Sequence, residues 1–169
     1  MKIKRGQVWI ETVLYTIIGL AIIGTVLTFI MPKINESKDN IIVEQSISAM
    51  KDLDAKISDV SRQQGNLGKI DFTIRRGYLI VNSTNNSLVF VVDDLTSLYS
   101  ESNVTITNGN LDILSKKGQK VDSVYLTLNY NYNITYAGSE TEKKITAASL
   151  PYQIYIENKD NSQIDITIG

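Results

Sequence analysis

Residues 8–31 read VWIETVLYTIIGLAIIGTVLTFIM and contain one charged side chain, Glu11. As a helix, these 24 residues extend ~36 Å at 1.5 Å per residue, enough to cross a hydrocarbon core of about 30 Å. Lys2, Lys4 and Arg5 precede the run, which predicts a cytoplasmic N-terminus and an external location for everything after Pro32. A conventional secretory signal has a shorter apolar core, roughly 7–15 residues, closed by a small-residue cleavage site. Here Met31-Pro32-Lys33-Ile34 follows and offers none. A plain membrane anchor accounts for the apolar run, but two features ask for more. Glu11 lies inside the apolar stretch, where a carboxylate is unfavourable, though less so near the interface than at the bilayer centre. Gly6-Gln7 sits between the basic leader and the apolar run, so a cut there removes the leader and keeps the helix.

Working outward, Pro32 is expected to end or bend the membrane helix, because it lacks an N–H and disfavours helix at the residue before it. Residues 35–64 are polar and charge-mixed, without proline or glycine. On a helical wheel Ile42, Val43, Ala49, Met50, Leu53, Ile57 and Val60 share an arc of about 120°, interrupted by Ser46, which predicts an amphipathic helix with one buried face. Gly65 and Gly68 mark its C-terminal end. Ile34 and Ile41 fall off this stripe. Gly19 and Gly24, in the apolar run, permit close helix approach but are equally ordinary in membrane helices.

After Gly68 the period changes to two. Ile70–Ile74, Tyr78–Ser83, Leu88–Val92, Val104–Thr107, Leu111–Leu114, Tyr152–Ile156 and Ile164–Ile168 read as strands, with turns at Arg75-Arg76-Gly77, Thr84-Asn85-Asn86 and Asn108-Gly109. From Val124 to Tyr136 the alternation is strict over 13 residues, long enough to bend or to serve two sheets. The expected fold is α+β: a long N-terminal hydrophobic helix continuing into an amphipathic stalk helix, packed on an antiparallel sheet or sandwich of seven or eight strands. The expected divisions are a basic leader (1–6), a transmembrane or filament-core helix (7–34), a stalk (35–67) and a β-rich external head (68–169).

Composition excludes much chemistry. The 169 residues include no cysteine and no histidine, which removes disulfides, thiolate and imidazole mechanisms and the usual Zn²⁺ ligands. Net charge is −1, and setting aside the three leader cations leaves −4 on residues 7–169, so nothing favours nucleic acid. Asp93-Asp94 reads as a solvated strand end or helix cap rather than a metal or acid–base pair. Lys116-Lys117 and Lys143-Lys144 read as loop charges. The tyrosines of the long strand are expected to pack in the core rather than to stack sugars. No nucleophile–base pair can be assembled, and the expectation is a non-enzyme without metal or cofactor. Asn-x-Ser/Thr sequons at Asn35, Asn82, Asn85, Asn103 and Asn133 are candidate glycosylation sites, although asparagine, serine and threonine are common enough here to give matches by chance.

The stretch Lys4-Arg5-Gly6-Gln7-Val8-Trp9-Ile10-Glu11, followed by an unbroken apolar run, resembles the archaeal type IV pilins over about the first 60 residues. Their precursors carry a short basic leader of the class III signal type, cleaved after a small residue, with an acidic residue early in the hydrophobic helix. The resemblance implies cleavage between Gly6 and Gln7 by a prepilin peptidase, membrane residence before assembly, and a homo-oligomeric filament built through the N-terminal helix. Adhesion to a surface or glycan is the implied role; archaellum subunits and pseudopilins are variants. In such a core the Glu11 carboxylate would meet the new α-ammonium of Gln7 on a neighbouring subunit, penalising misregistered packing. The other reading of Glu11 is a snorkelling interfacial carboxylate. The alternative for the whole chain is a permanently anchored external binding module or envelope tether.

Overall fold

The computed structural model describes residues 4–160 and 163–169, with side chains from Val8 onward. A single helix, α1 (Lys4–Ser61), includes both the apolar run and the amphipathic stretch, with Pro32 inside it. Of the two expectations for Pro32, an end or a bend, the end is corrected. An internal proline removes one backbone hydrogen bond, but no glycine or second breaker lies nearby. Helix-compatible residues resume at once, with Lys33 and Glu36 paired at 2.7 Å across one turn.

Two compact units divide the chain between Lys38 and Asp39. In the second unit the stripe is buried as its periodicity predicts. Val43, Met50, Leu53, Ile57 and Val60 are buried, and Ile42 and Ala49 pack at the margin. Ile47, which the stripe omitted, is buried too, and so is Ser46, whose hydroxyl donates to the Ile42 carbonyl at 2.8 Å. Ile34 and Ile41 are exposed.

Ten strands follow among the described residues: β1 (Leu67–Phe72), β2 (Tyr78–Asn82), β3 (Ser87–Leu95), β4 (Thr105–Asn108), β5 (Leu111–Lys116), β6 (Asp122–Asn129), β7 (Asn133–Tyr136), β8 (Lys143–Thr146), β9 (Tyr152–Asp160) and β10 (Gln163–Ile168). They form a four-stranded sheet ordered β1-β9-β10-β7 and a six-stranded sheet ordered β4-β5-β6-β3-β2-β8. The pairs are antiparallel except β7 with β10. Inward residues of both sheets and the helical stripe share one buried cluster, in which the Phe72 and Phe90 rings meet edge to face at 5.8 Å.

The 13-residue alternating run becomes two strands, β6 in the six-stranded sheet and β7 in the four-stranded one. Asn86, in the β2–β3 turn at φ 50°, spans the break: its carbonyl accepts from Tyr130 N and its side-chain oxygen from Ile134 N, both at 3.0 Å. Glycine is required where β2 starts. Gly77 has φ +86°, and a Cβ there would lie 1.8 Å from the Val91 carbonyl oxygen.

Hydrogen bonds fasten the helix to the strands at several levels. The Asp39 carboxylate meets Arg76 and Thr96, Glu44 accepts from the Tyr99 hydroxyl at 2.6 Å, and Asp54 accepts from the Tyr130 hydroxyl and the Asn110 amide at 3.0 Å each. At the C-terminal end, the buried Asn158 of β9 donates its side-chain amide to the carbonyls of Val60, Ser61 and Gln63 at 3.3, 3.1 and 3.0 Å. A helix end leaves such carbonyls without partners. One amide therefore caps α1 and ties it to the four-stranded sheet.

Candidate functional site

The apolar helical run is the feature most in need of a partner. Large apolar side chains from Val8 to Met31 are exposed throughout, with Trp9 and Phe29 above 70%. This is the one described helix long and apolar enough to cross a membrane, and the crossing-length window has no buried residue. Sixteen large hydrophobics presented together far exceed what a monomer ordinarily leaves to water, on a run long and apolar enough to span a bilayer.

Its polar groups are arranged to keep it apolar. The hydroxyls of Thr12, Thr16, Thr25 and Thr28 each donate to the carbonyl four residues earlier, at 2.8–2.9 Å. Each hydroxyl thus places its donor inside the helix, the pattern a threonine needs where no water is present. This device was not anticipated from sequence, although threonine spaced along an apolar helix is its signal.

Glu11 is the exception. Its carboxylate is exposed on the helix surface and accepts a hydrogen bond from the Tyr15 hydroxyl, one turn on, at 3.3 Å. One neutral bond leaves most acceptor positions of the carboxylate open. Tyr15 is a partner the sequence reading missed, and its i+4 spacing was the available cue. Gly6 and Gln7 lie in the first turns of α1 by backbone, and their side chains lie outside the described residues. Of the leader 1–6, Met1–Ile3 lie outside the described residues altogether. A Cβ built at Gly19 or Gly24 meets no atom within 4 Å, so within the single chain nothing demands glycine at either position.

The sequons are spread over both units. Asn35, Asn85 and Asn103 are exposed, the last at φ 62°. Asn82 and Asn133 are half-buried: the Asn82 side chain accepts from Asn85 N at 3.1 Å, and the Asn133 amide donates to Glu140 at 3.2 Å.

Several head residues stand differently from expectation. Asp93 and Asp94 do sit at the end of strand β3, as expected, but within a shift of its register with β6 between Val92 and Leu95, where Asp94 takes φ 56°. A bulge accommodates the extra backbone there. Lys143 and Lys144 belong to strand β8 rather than a loop, and their ammonium groups lie over the rings of Tyr136 and Tyr78 at 5.5 and 3.6 Å. Lys116 ends β5 and sits 4.5 Å from the Tyr125 ring centroid. Tyr130 and Tyr132 stack at 5.2 Å against the core margin. Burial, and then the Asp54 carboxylate, push the Tyr130 phenol well above the usual phenolic range, so it remains a donor to Asp54. A cleft of about 400 Å³ between α1 and β1 interleaves Ile42, Ala49 and Ile70 with Gln45, Asp71 and Arg75, without a convergent reactive group. Among the described residues no three His, Cys, Asp or Glu side chains are grouped to hold a metal ion.

No family model, curated protein or solved structure matches the chain.

Proposed function

We propose that this chain is a structural subunit of an extracellular type IV pilus-like filament. It enters the membrane as a precursor, loses residues 1–6 to a prepilin peptidase, and assembles through its N-terminal helix. The observation that carries the reading is the exposed apolar run of Val8–Met31 behind the Gly6-Gln7 junction, with Glu11 its one charge. A plain anchor needs the apolarity but neither the junction nor the carboxylate. In a filament core the run would be covered by copies of itself. Glu11 would then fix register by pairing with the Gln7 α-ammonium of a neighbour, since a misplaced carboxylate in a low-dielectric core stays unpaired. The β-rich head would face the medium and carry adhesion, with no enzymatic role, no metal or cofactor and no nucleic-acid partner.

The test uses cells producing Glu11→Ala alongside the unaltered chain. Removing the carboxylate makes the helix more apolar, so insertion and leader removal are expected to be normal. The chain recovered in filaments sheared from the surface is expected to fall to a small fraction of the unaltered level. Unchanged filament yield and morphology would refute the register role, and a complete lack of the unaltered chain from sheared filaments would favour the permanently anchored module.

A further inference from the structure

Edge strand β4 has neither charge nor proline to guard it. It lies at one end of the six-stranded sheet and pairs with β5 alone. All four of its residues are exposed, as is Val104 just before it. The run Asn103-Val104-Thr105-Ile106-Thr107-Asn108 contains no charge and no proline. Sheet edges are ordinarily blunted by shortness, lysine, proline, a bulge or a covering element, and of these β4, with four residues, has only the first. Of the three other edge strands of this head, β8 carries Lys143 and Lys144, β1 carries Lys69 and Asp71, and the uncharged β7 has Ile134 and Thr135 buried.

The geometry of β4 also selects a partner. Asn108 and Leu111 flank the two-residue turn Gly109-Asn110, with Gly109 at φ +69°. The pair closing such a turn is hydrogen-bonded, and hydrogen-bonded and free pairs then alternate along the ladder. Ile106 therefore bonds inward to Ile113, while the backbone N–H and C=O groups of Thr105 and Thr107 face the open edge. We propose that β4 is a pairing surface for a second copy of this chain, joined antiparallel about a two-fold axis at Ile106. In that register Thr105 of each copy faces Thr107 of the other, and each such pair exchanges both backbone bonds. Val104 faces Asn108, and Ile106 faces its own counterpart. No like charges meet, so the strand is complementary to itself, and two six-stranded sheets become one of twelve. The dimer does not depend on assembly through the N-terminal helix. Its consequence in a filament, side-by-side joining of neighbouring filaments, rests on the proposed function.

The absence of cysteine supplies the test. Ile106 and its counterpart form a non-hydrogen-bonded pair with Cα atoms about 4.5 Å apart, within disulfide reach. The full chain, made without N-glycosylation so that the Asn103 sequon stays bare, is purified in detergent and mildly oxidised. Ile106→Cys is expected to give a disulfide dimer as the main species. Leu150→Cys, at a position 75% exposed and off this edge, is expected to stay monomeric. Adding Thr107→Pro to Ile106→Cys removes an outward N–H while leaving the β5 ladder intact, and is expected to slow crosslinking on the order of tenfold. Thr107→Lys serves the same purpose if circular dichroism shows the proline to disturb the fold. A monomeric Ile106→Cys, equally fast crosslinking at Leu150→Cys, or no effect of either Thr107 variant would overturn the pairing.

Discussion

The Asp39 carboxylate accepts hydrogen bonds from Arg76 Nη1 at 2.6 Å and from the Thr96 backbone and hydroxyl at 2.7 and 2.6 Å, with its side chain 5% exposed. Burial alone would push its pKa up. The Thr96 bonds, then the Arg76 bond and charge, outweigh burial and hold it below the ordinary 3.8. A depressed carboxylate pKa contributes stability that is complete above the unfolded value and is lost as pH falls through the folded one. Asp39→Asn keeps the shape but turns an amide donor toward Arg76 or Thr96. It is expected to destabilise the chain at pH 7 by ~1–3 kcal/mol. Denaturant titrations should show that gap starting to narrow below about pH 4, where Asp39 of the unfolded chain takes up its proton, and closing as pH falls through the lower folded value. A gap independent of pH would mean that the charge contributes nothing. Nothing in Lys38-Asp39-Asn40 marks this residue, since its partners lie 37 and 57 positions away.

Along α1 the apolar stripe was legible because burying one face of a helix imposes a period of 3.6. Leu53, 1% exposed at its centre, is the position to test. Leu53→Ala is expected to cost ~2–5 kcal/mol in thermal or denaturant unfolding, the range for a buried leucine whose surroundings cannot collapse. A loss below about 0.5 kcal/mol, typical of surface positions, would show that the stripe does not support the head. Strands with their own hydrophobic alternation were equally legible, as Val124–Leu128 shows. β8 was not: Lys143-Lys144-Ile145-Thr146 offers one buried side chain, and its strand form comes from pairing with β2. The break between β6 and β7 was hidden for another reason. Alternation persists through it, while the Asn86 bonds that divide it come from a distant turn. Pro32 does not end the helix, because propensity is local and the runs on either side outweigh one missing bond.

For the whole molecule, the α+β architecture follows from the switch in period at Gly68, whereas the order of ten strands in two sheets depends on long-range pairing that alternation does not encode. The candidate site divides the same way. Glu11 and the Gly6-Gln7 junction stand out by residue type, whereas the Tyr15 contact and the internally bonded threonines are marked only by their i,i+4 spacing on the helix. The central claim, that this helix is released from its leader to enter a filament, makes a covalent prediction. N-terminal analysis of the mature protein, recovered from native envelopes and sheared surface material, is expected to give Gln7 as the first residue, with uncut precursor accumulating in membranes when Gly6 is replaced by leucine. Mature protein that still begins at Met1 or Lys2 would contradict the account and leave the apolar helix as a permanent anchor.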